Sequence, residues 1–324
     1  MNKILFICGL TATGKTKHAV ELAKQFNGEL VSADSRQVYK ELTILSGKDI
    51  PKNVTPQKTT ITVQHNQKKY SLVTYNLDGL PIWMYDVISA IESFSVAQFV
   101  HVANVVIADI QRRNKLPIIV GGTGLYIRGL TKSMETFAVP PNTKLRKSLN
   151  VASIEILQQQ LYALDRMKFD SMNLSDQKNP RRLIRAIEVA QWRKKHSDNV
   201  LPVDANVDRL TIGLRTSFDL LEQRMQQRVE KRINGAMKEV KELMKRNPPL
   251  NLPSRSAIGI KLLEQYLNRK ISRQDVINNW THEELHYAKR QLTWFKKDPS
   301  IRWFDVTHIN WKKEVVSLVS TWYT

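Results

Sequence analysis

Apolar and polar positions divide the chain into short apolar runs and longer segments of helical period. Residues 4–8 form a β-prone run, followed at once by a glycine-bearing turn at residues 9–16. Apolar residues then recur at helical spacing through residues 18–26, until Asn27-Gly28 closes the segment. Residues 29–32 read as a second strand. The β-rich stretches 59–63 and 69–75 flank a polar turn at 65–68, which predicts a hairpin inserted into an α/β core. Ser95 opens a helix through Val96, Phe99, Val102, Val106 and Ile110 that ends near Arg113-Asn114. Residues 116–120 read as a buried parallel strand running into the second glycine-rich turn, Gly121-Gly122-Thr123-Gly124. From Val139 to about Lys195 the pattern is helical throughout, at 142–149, 154–164 and 179–195. A strand at 209–214 and helices at about 217–246, 256–268 and 283–297 complete the chain. This order predicts a phosphate-loop-type α/β fold. A parallel-sheet core with C-terminal helices is expected over 1–137 and 199–324, with an inserted all-helical subdomain at 138–198.

Composition narrows the picture. With 324 residues, 42% hydrophobic and 25% charged, the chain has enough apolar content for a large core. No apolar run approaches the ~20 residues of a membrane span. The run at 4–8 is too short for a secretory h-region, and the single Cys8 has no partner for an internal disulfide, so a cytoplasmic location is expected. The net charge is +20, from 50 basic and 30 acidic residues. The excess is spread along the whole chain rather than held in a tail, which points to a folded body with a nucleic-acid partner.

The first turn, Gly9-Leu10-Thr11-Ala12-Thr13-Gly14-Lys15-Thr16, is G-x-x-x-x-G-K-T between a strand and a helix. In that context the glycines let backbone N–H groups converge on an anion, and the helix N-terminus adds its positive dipole end. Lys15 is expected to reach the outer phosphate and Thr16 a bound Mg²⁺. The tip of the second strand is expected to bring Asp34 beside Lys15 and Thr16, because ligands of open α/β sheets sit at the strands' carboxyl ends. Residues 105–109 look like a metal-binding strand that ends in an Asp. The surrounding 3.6-residue period makes them helix, so Asp109 is left out of the site. Arg224 and Arg228, at i and i+4, share a helix face.

Several stretches, in order from residue 9 to about 294, resemble the tRNA dimethylallyltransferases, also called tRNA isopentenyltransferases. The phosphate loop is similar to that family's G-P-T-A-S-G-K-T, and residues 33–39 to its A-D-S-R-Q-V-Y. Residues 94–99 match F-S-V-A-x-F, 120–126 match V-G-G-T-G-L-Y, and 179–189 match N-x-x-R-L-I-R-A-L-E-V. Ala257-Ile258-Gly259 and residues 288–294 resemble A-I-G-Y and A-K-R-Q-x-T-W. Two departures stand out. Leu10 replaces the loop's proline, and residues 80–86 lack both histidines of the family's P-H-H-x-x-D. No zinc-finger spacing is present.

The resemblance implies transfer of a dimethylallyl group from dimethylallyl diphosphate to N6 of an adenosine beside the anticodon. It implies residues 9–16 as the diphosphate cradle, with Mg²⁺ at Thr16. Asp34 is implied as general base, Thr123 as a hydrogen-bond donor to the leaving group and Arg224 as a diphosphate clamp. For tRNA it implies Asp34, Ser35, Arg36, Gln37, Thr123, Arg146, Arg181, Arg182, Arg185, Lys289, Arg290 and Gln291, with further contacts around residues 257–261. The anticodon stem-loop is the expected partner, and a monomer the expected state. Trp192, Trp280, Trp294 and Trp303 are candidates for base stacking, though core positions suit tryptophan better. Three rivals remain. One is a small-molecule kinase using the same loop for ATP. Another is a prenyltransferase for free AMP or ADP. The third is a zinc protease suggested by His282-Glu283-Glu284-Leu285-His286, which lacks a clear third ligand.

Overall fold

The computed structural model describes residues 3–51, 53–65, 68–132, 135–137, 139–196, 207–249 and 252–324. The chain divides into two compact units, one of Met1–Thr131 with Asn206–Thr324 and one of Lys132–Ala205. The boundaries expected at 138 and 198–199 lie outside the described residues.

The first unit opens with β1 (Lys3–Gly9), buried along nearly its whole length, as a central parallel strand must be. The phosphate loop leads into α1 (Lys15–Gln25) and β2 (Gly28–Ser32). After α2 (Thr43–Ser46) come β3 (Gln57–His65) and β4 (Lys68–Leu77), an antiparallel pair; Asn66 and Gln67 between them lie outside the described residues. β5 (Leu80–Trp83) follows. Then α3 (Val96–Arg112) starts at a Ser95–Gln98 capping box, in which each side chain accepts from the other's backbone N–H. Asp109 lies on this helix, paired with Arg112 and Arg113. β6 (Leu116–Val120) and α4 (Gly124–Thr131) end this stretch.

The second unit holds α5 (Thr143–Leu149), α6 (Ile154–Leu164), α7 (Arg166–Asp170), α8 (Leu174–Gln177) and α9 (Pro180–Lys195). Its apolar centre is Leu149, Leu157, Leu161, Leu183 and Ile187. A side-chain oxygen caps the start of each helix, from Asn142, Ser153, Asp165, Asn173 and Asn179. The chain then returns through β7 (Asp208–Arg215), α10 (Phe218–Lys245), α11 (Ile260–Leu267), α12 (Arg273–Phe295), β8 (Arg302–Asp305) and α13 (Trp311–Tyr323). Helix α12 begins at Arg273 rather than near 283, because Ser272 and Asp275 form a second capping box.

The sheet order is β3-β4-β5-β2-β6-β1-β7-β8, parallel from β5 to β8 and antiparallel at the β3–β4–β5 edge. One face is covered by α1 and α13, whose Ala19, Leu22, Ala23, Val315 and Val319 meet Leu5, Ile7 and Ile212. The other is covered by α3 and the C-terminal helices, which bury Phe99, Val106, Val240 and Trp280 with Phe6, Val31 and Ile119. Burying each such aliphatic or aromatic side chain stabilises the fold by about 1.5–3 kcal/mol. Helices on both faces leave the carboxyl ends of β1, β2 and β6 as the place where loops converge.

Candidate active site

At the end of β1 the backbone reverses through Gly9, at φ 116°, where a Cβ would stand 2.1 Å from the Leu214 carbonyl oxygen. No other residue fits that approach. The next residue explains a departure from the family pattern. Leu10 donates its N–H to the same Leu214 carbonyl oxygen at 3.1 Å. Its side chain is buried with Leu221, Met225, Leu285 and Ala288. A proline there would lose the hydrogen bond. Ala12 (φ 61°) and Gly14 (φ 82°) turn the loop into α1. Thr13 Oγ1 and Lys15 Nζ both donate to the Leu10 carbonyl oxygen, at 2.7 and 2.5 Å. Burial lowers the Lys15 pKa to about 8, the Asp34 carboxylate working against that shift and the Arg228 guanidinium with it.

The β2 tip carries Asp34, whose Oδ1 accepts from the Arg36 N–H at 2.8 Å. Thr123 Oγ1 accepts from the Ser35 N–H at 2.9 Å, and the Thr123 N–H donates to the Ala33 carbonyl oxygen at 3.2 Å. The two turns that end β2 and β6 are thereby fastened together. Arg36, half-buried, donates to the Pro253 carbonyl oxygen at 2.7 Å and to Ser256 Oγ at 2.9 Å. Gln37 bridges Ser32 and the Gly47 carbonyl oxygen, at 2.7 and 3.0 Å.

Loop, Asp34 and the Gly121-Gly122 turn line one cleft of about 850 Å³. Arg224, Arg228 and Arg232, spaced four residues apart on α10, line it too. Arg224 reaches the Ala12 carbonyl oxygen at 3.4 Å, and Arg228 reaches Thr11 Oγ1 at 3.3 Å. Arg232 and Asp49, an ion pair at the cleft wall, were not singled out from sequence, although the four-residue spacing of the arginines was the available signal. Tyr287, Glu284 and Arg290 of α12 also line the cleft. Ile82 and Trp83, standing where the family has histidines, are buried in the sheet, and Trp83 Nε1 donates to Glu29 Oε2 at 2.9 Å.

In the second unit Glu188 is almost fully buried and gathers Arg146, at 2.7 and 2.9 Å, together with Arg185. Burial opposes its charge, but those hydrogen bonds outweigh burial and hold the carboxyl below the usual range. Arg185 also donates to the Thr136 and Val139 carbonyl oxygens at 2.5 and 3.0 Å. Arg182 pairs with Asp176. Arg181 is exposed and makes no ion pair among the described residues. Lys289 and Arg290 are exposed, whereas Gln291 is buried. Of the tryptophans, Trp280 is core, Trp294 lies against Gly124 and Trp192 stacks on His196 at 4.5 Å. His282 and His286 face each other on α12, and among the described residues no three His, Cys, Asp or Glu side chains form a metal-binding group.

The fold is thus an α/β one in which a phosphate-loop motif, three arginines and the Asp34 carboxylate line one cleft. Two family models match the chain, IPP transferase over residues 37–298 and isopentenyl transferase over residues 2–64. The chain is 34% identical to the tRNA dimethylallyltransferase of Anoxybacillus flavithermus, covering 94% of this chain and 91% of that one. It is 35% identical to tRNA dimethylallyltransferase 2 of Treponema denticola, covering 90% of each. The full-length tRNA isopentenylpyrophosphate transferase of Bacillus halodurans superposes with a TM-score of 0.66 at 29% identity, over 99% of this chain and 95% of that one. A eukaryotic dimethylallyltransferase shares the fold, with a TM-score of 0.73 at 21% identity over 98% of this chain and 78% of that one. The chain belongs to the IPP transferase family, that of the tRNA dimethylallyltransferases, and is an enzyme of that family.

Proposed function

We propose that the chain moves a dimethylallyl group from dimethylallyl diphosphate to the exocyclic N6 of an adenosine beside the anticodon of a tRNA. The observation that carries this reading is the shared cleft, which the phosphate loop and Asp34 both line, with the Asp34 carboxylate near enough to act on the Lys15 charge. The relatives' own names, which specify tRNA as acceptor, support it.

In this reading the amides of residues 12–16, Lys15, Arg224 and Arg228 hold the diphosphate, whose negative charge grows as the C–O bond breaks. The N6 nitrogen attacks the prenyl carbon and a C–N bond forms. The N6 proton passes to the Asp34 carboxylate, and diphosphate leaves. An exocyclic amine has its lone pair delocalised into the ring, so proton removal during attack is worth roughly 10²–10⁴ in rate. Thr123 keeps the Asp34 turn in place and is proposed to donate its hydroxyl to the leaving diphosphate. The donor set suits Mg²⁺ carried by the substrate: one hydroxyl, from Thr16, beside a diphosphate, with no protein cage among the described residues. Bound there, Mg²⁺ would neutralise charge on the leaving group. Ser35, Gln37, Lys289 and Arg290 of the first unit, and Arg181 of the second, are the proposed RNA contacts. Arg36, Arg146, Arg182 and Arg185 take part in RNA binding from within the internal bonds described above. The target base must leave the stacked loop to react, which is cheapest from a single strand. A cytoplasmic monomer fits this role, and among the described residues no helix is long and apolar enough to cross a membrane.

The test is direct. Purified chain, Mg²⁺, dimethylallyl diphosphate and an anticodon stem-loop with a run of adenosines should give RNA heavier by one prenyl group. Turnover of AMP with none of the RNA would replace the proposed acceptor by a free nucleotide.

A further inference from the structure

The phosphate loop is not held by its own strand and helix alone. The Thr11 N–H donates to Gln291 Oε1 at 2.8 Å, across 280 positions of sequence. The amide of the same side chain donates to the Gly122 carbonyl oxygen at 3.0 Å. Tyr287, one turn earlier on α12, donates its hydroxyl to that oxygen at 3.2 Å. Gln291 is 4% exposed; its bond to Gly122 is buried and its bond from Thr11 partly buried. The fit is close: a Cβ on Gly122 would lie 2.1 Å from Gln291 Nε2. From Gly122 the connection continues through Thr123 to the Ser35 N–H and so to the turn that carries Asp34.

We infer that Gln291 is a positioning residue, fixing the diphosphate cradle and the Asp34 turn in one frame, and not a contact to RNA. The inference rests on the proposed prenyl transfer, because that reaction needs both turns at once. A proton acceptor and a leaving group on opposite sides of the prenyl carbon must be held in register, and small misplacements cost rate steeply. The chain gives Gln291 both halves of that task. Its carbonyl takes the Thr11 amide of the cradle, and its amide takes a carbonyl of the facing turn. A buried amide left without its partner destabilises the loop conformation that made the bond. Thr11 is therefore tied back by its N–H, and the amides from residue 12 onward remain for the anion.

Two variants test this. Gln291→Met keeps the volume and removes both bonds. Gln291→Glu keeps the acceptor for Thr11 but sets a carboxylate against the Gly122 carbonyl. Calorimetric titration with inorganic pyrophosphate reads the cradle, and titration with the anticodon stem-loop reads RNA. Gln291→Met should weaken pyrophosphate binding about tenfold and leave the RNA dissociation constant within about twofold. Gln291→Glu adds a negative charge beside the anion cradle, so it should bind pyrophosphate no better than Gln291→Met and lose kcat as well, since the second turn is no longer tied. Unchanged pyrophosphate affinity with weakened RNA binding in either variant would overturn the inference and make Gln291 an RNA contact. Pyrophosphate titration needs no turnover. A chain that fails to prenylate RNA counts against the proposed reaction, and the titration still decides the role of Gln291.

Discussion

Two side chains in the cleft carry predictions of opposite character. Asp34 is expected to act only during the chemical step. Asp34→Asn should lower kcat by about 10²–10⁴ while RNA affinity, read by mobility shift, stays nearly constant. A large loss of RNA binding instead would make it a recognition residue. Lys15 acts on binding. Burial lowers its pKa to about 8, so its charge is lost as pH rises through that value. In the free enzyme kcat/KM for dimethylallyl diphosphate should therefore fall above pH 8, and a profile flat to pH 9.5 would contradict the assignment. The same depression has the opposite sign for stability. Between about 8 and the ordinary lysine value near 10.4, the unfolded chain binds more protons than the folded one, so this group's contribution to stability rises with pH in that window.

At the level of elements, ion pairs separate arginines that a sequence motif cannot tell apart. Arg181, Arg182 and Arg185 occupy one turn of α9, and their family context implies RNA for all three. Besides its proposed part in RNA binding, Arg185 completes the buried Glu188 group with Arg146 and holds two carbonyls. Arg185→Ala should cost about 1–3 kcal/mol, seen as an earlier thermal transition of the full chain, because Glu188 is left buried with fewer partners. Arg181→Ala should leave that transition in place and weaken RNA binding. What was legible followed from period and punctuation: the strong runs of β1 and β6, the capped α3 and the glycine turns declared themselves. β5 is only four residues long and contains Pro81, which argues against a strand, and β8 is short with no buried residue, so neither declared itself. The buried face of α12 includes Thr281, Glu284 and Gln291, which blurs its stripe and hid its first ten residues. That Asp34 and the phosphate loop line one cleft was legible, because the loops at the carboxyl ends of parallel strands converge. The tie from Gln291 to Thr11 was not, since no local pattern encodes a side chain meeting a backbone amide so far along the chain.

Charge belongs to the whole molecule. Residues 1–137 carry 16 basic against 10 acidic side chains, 138–198 carry 12 against 6, and the remainder 22 against 14. Both units are therefore cationic, and neither supplies the excess alone. Much of that charge is committed internally, as in Lys48 buried against Asp86 and the Tyr39 carbonyl, or Arg113 and Lys115 on Glu29. The exposed remainder, including Arg181, Lys289 and Arg290, is what a phosphate backbone would meet. Phosphates neutralised by such side chains release condensed counterions, so the logarithm of RNA affinity should fall linearly with the logarithm of salt concentration. Several contacts of this kind predict at least a tenfold loss between about 50 and 200 mM salt, with a slope near −0.7 for each single-strand phosphate engaged. Arg181→Ala should make that slope shallower by about one contact and weaken all stem-loops alike, because a phosphate contact carries no sequence information. Gln291→Met, whose bonds are internal, should leave the slope unchanged. An affinity insensitive to salt would mean that the +20 charge serves some purpose other than holding RNA.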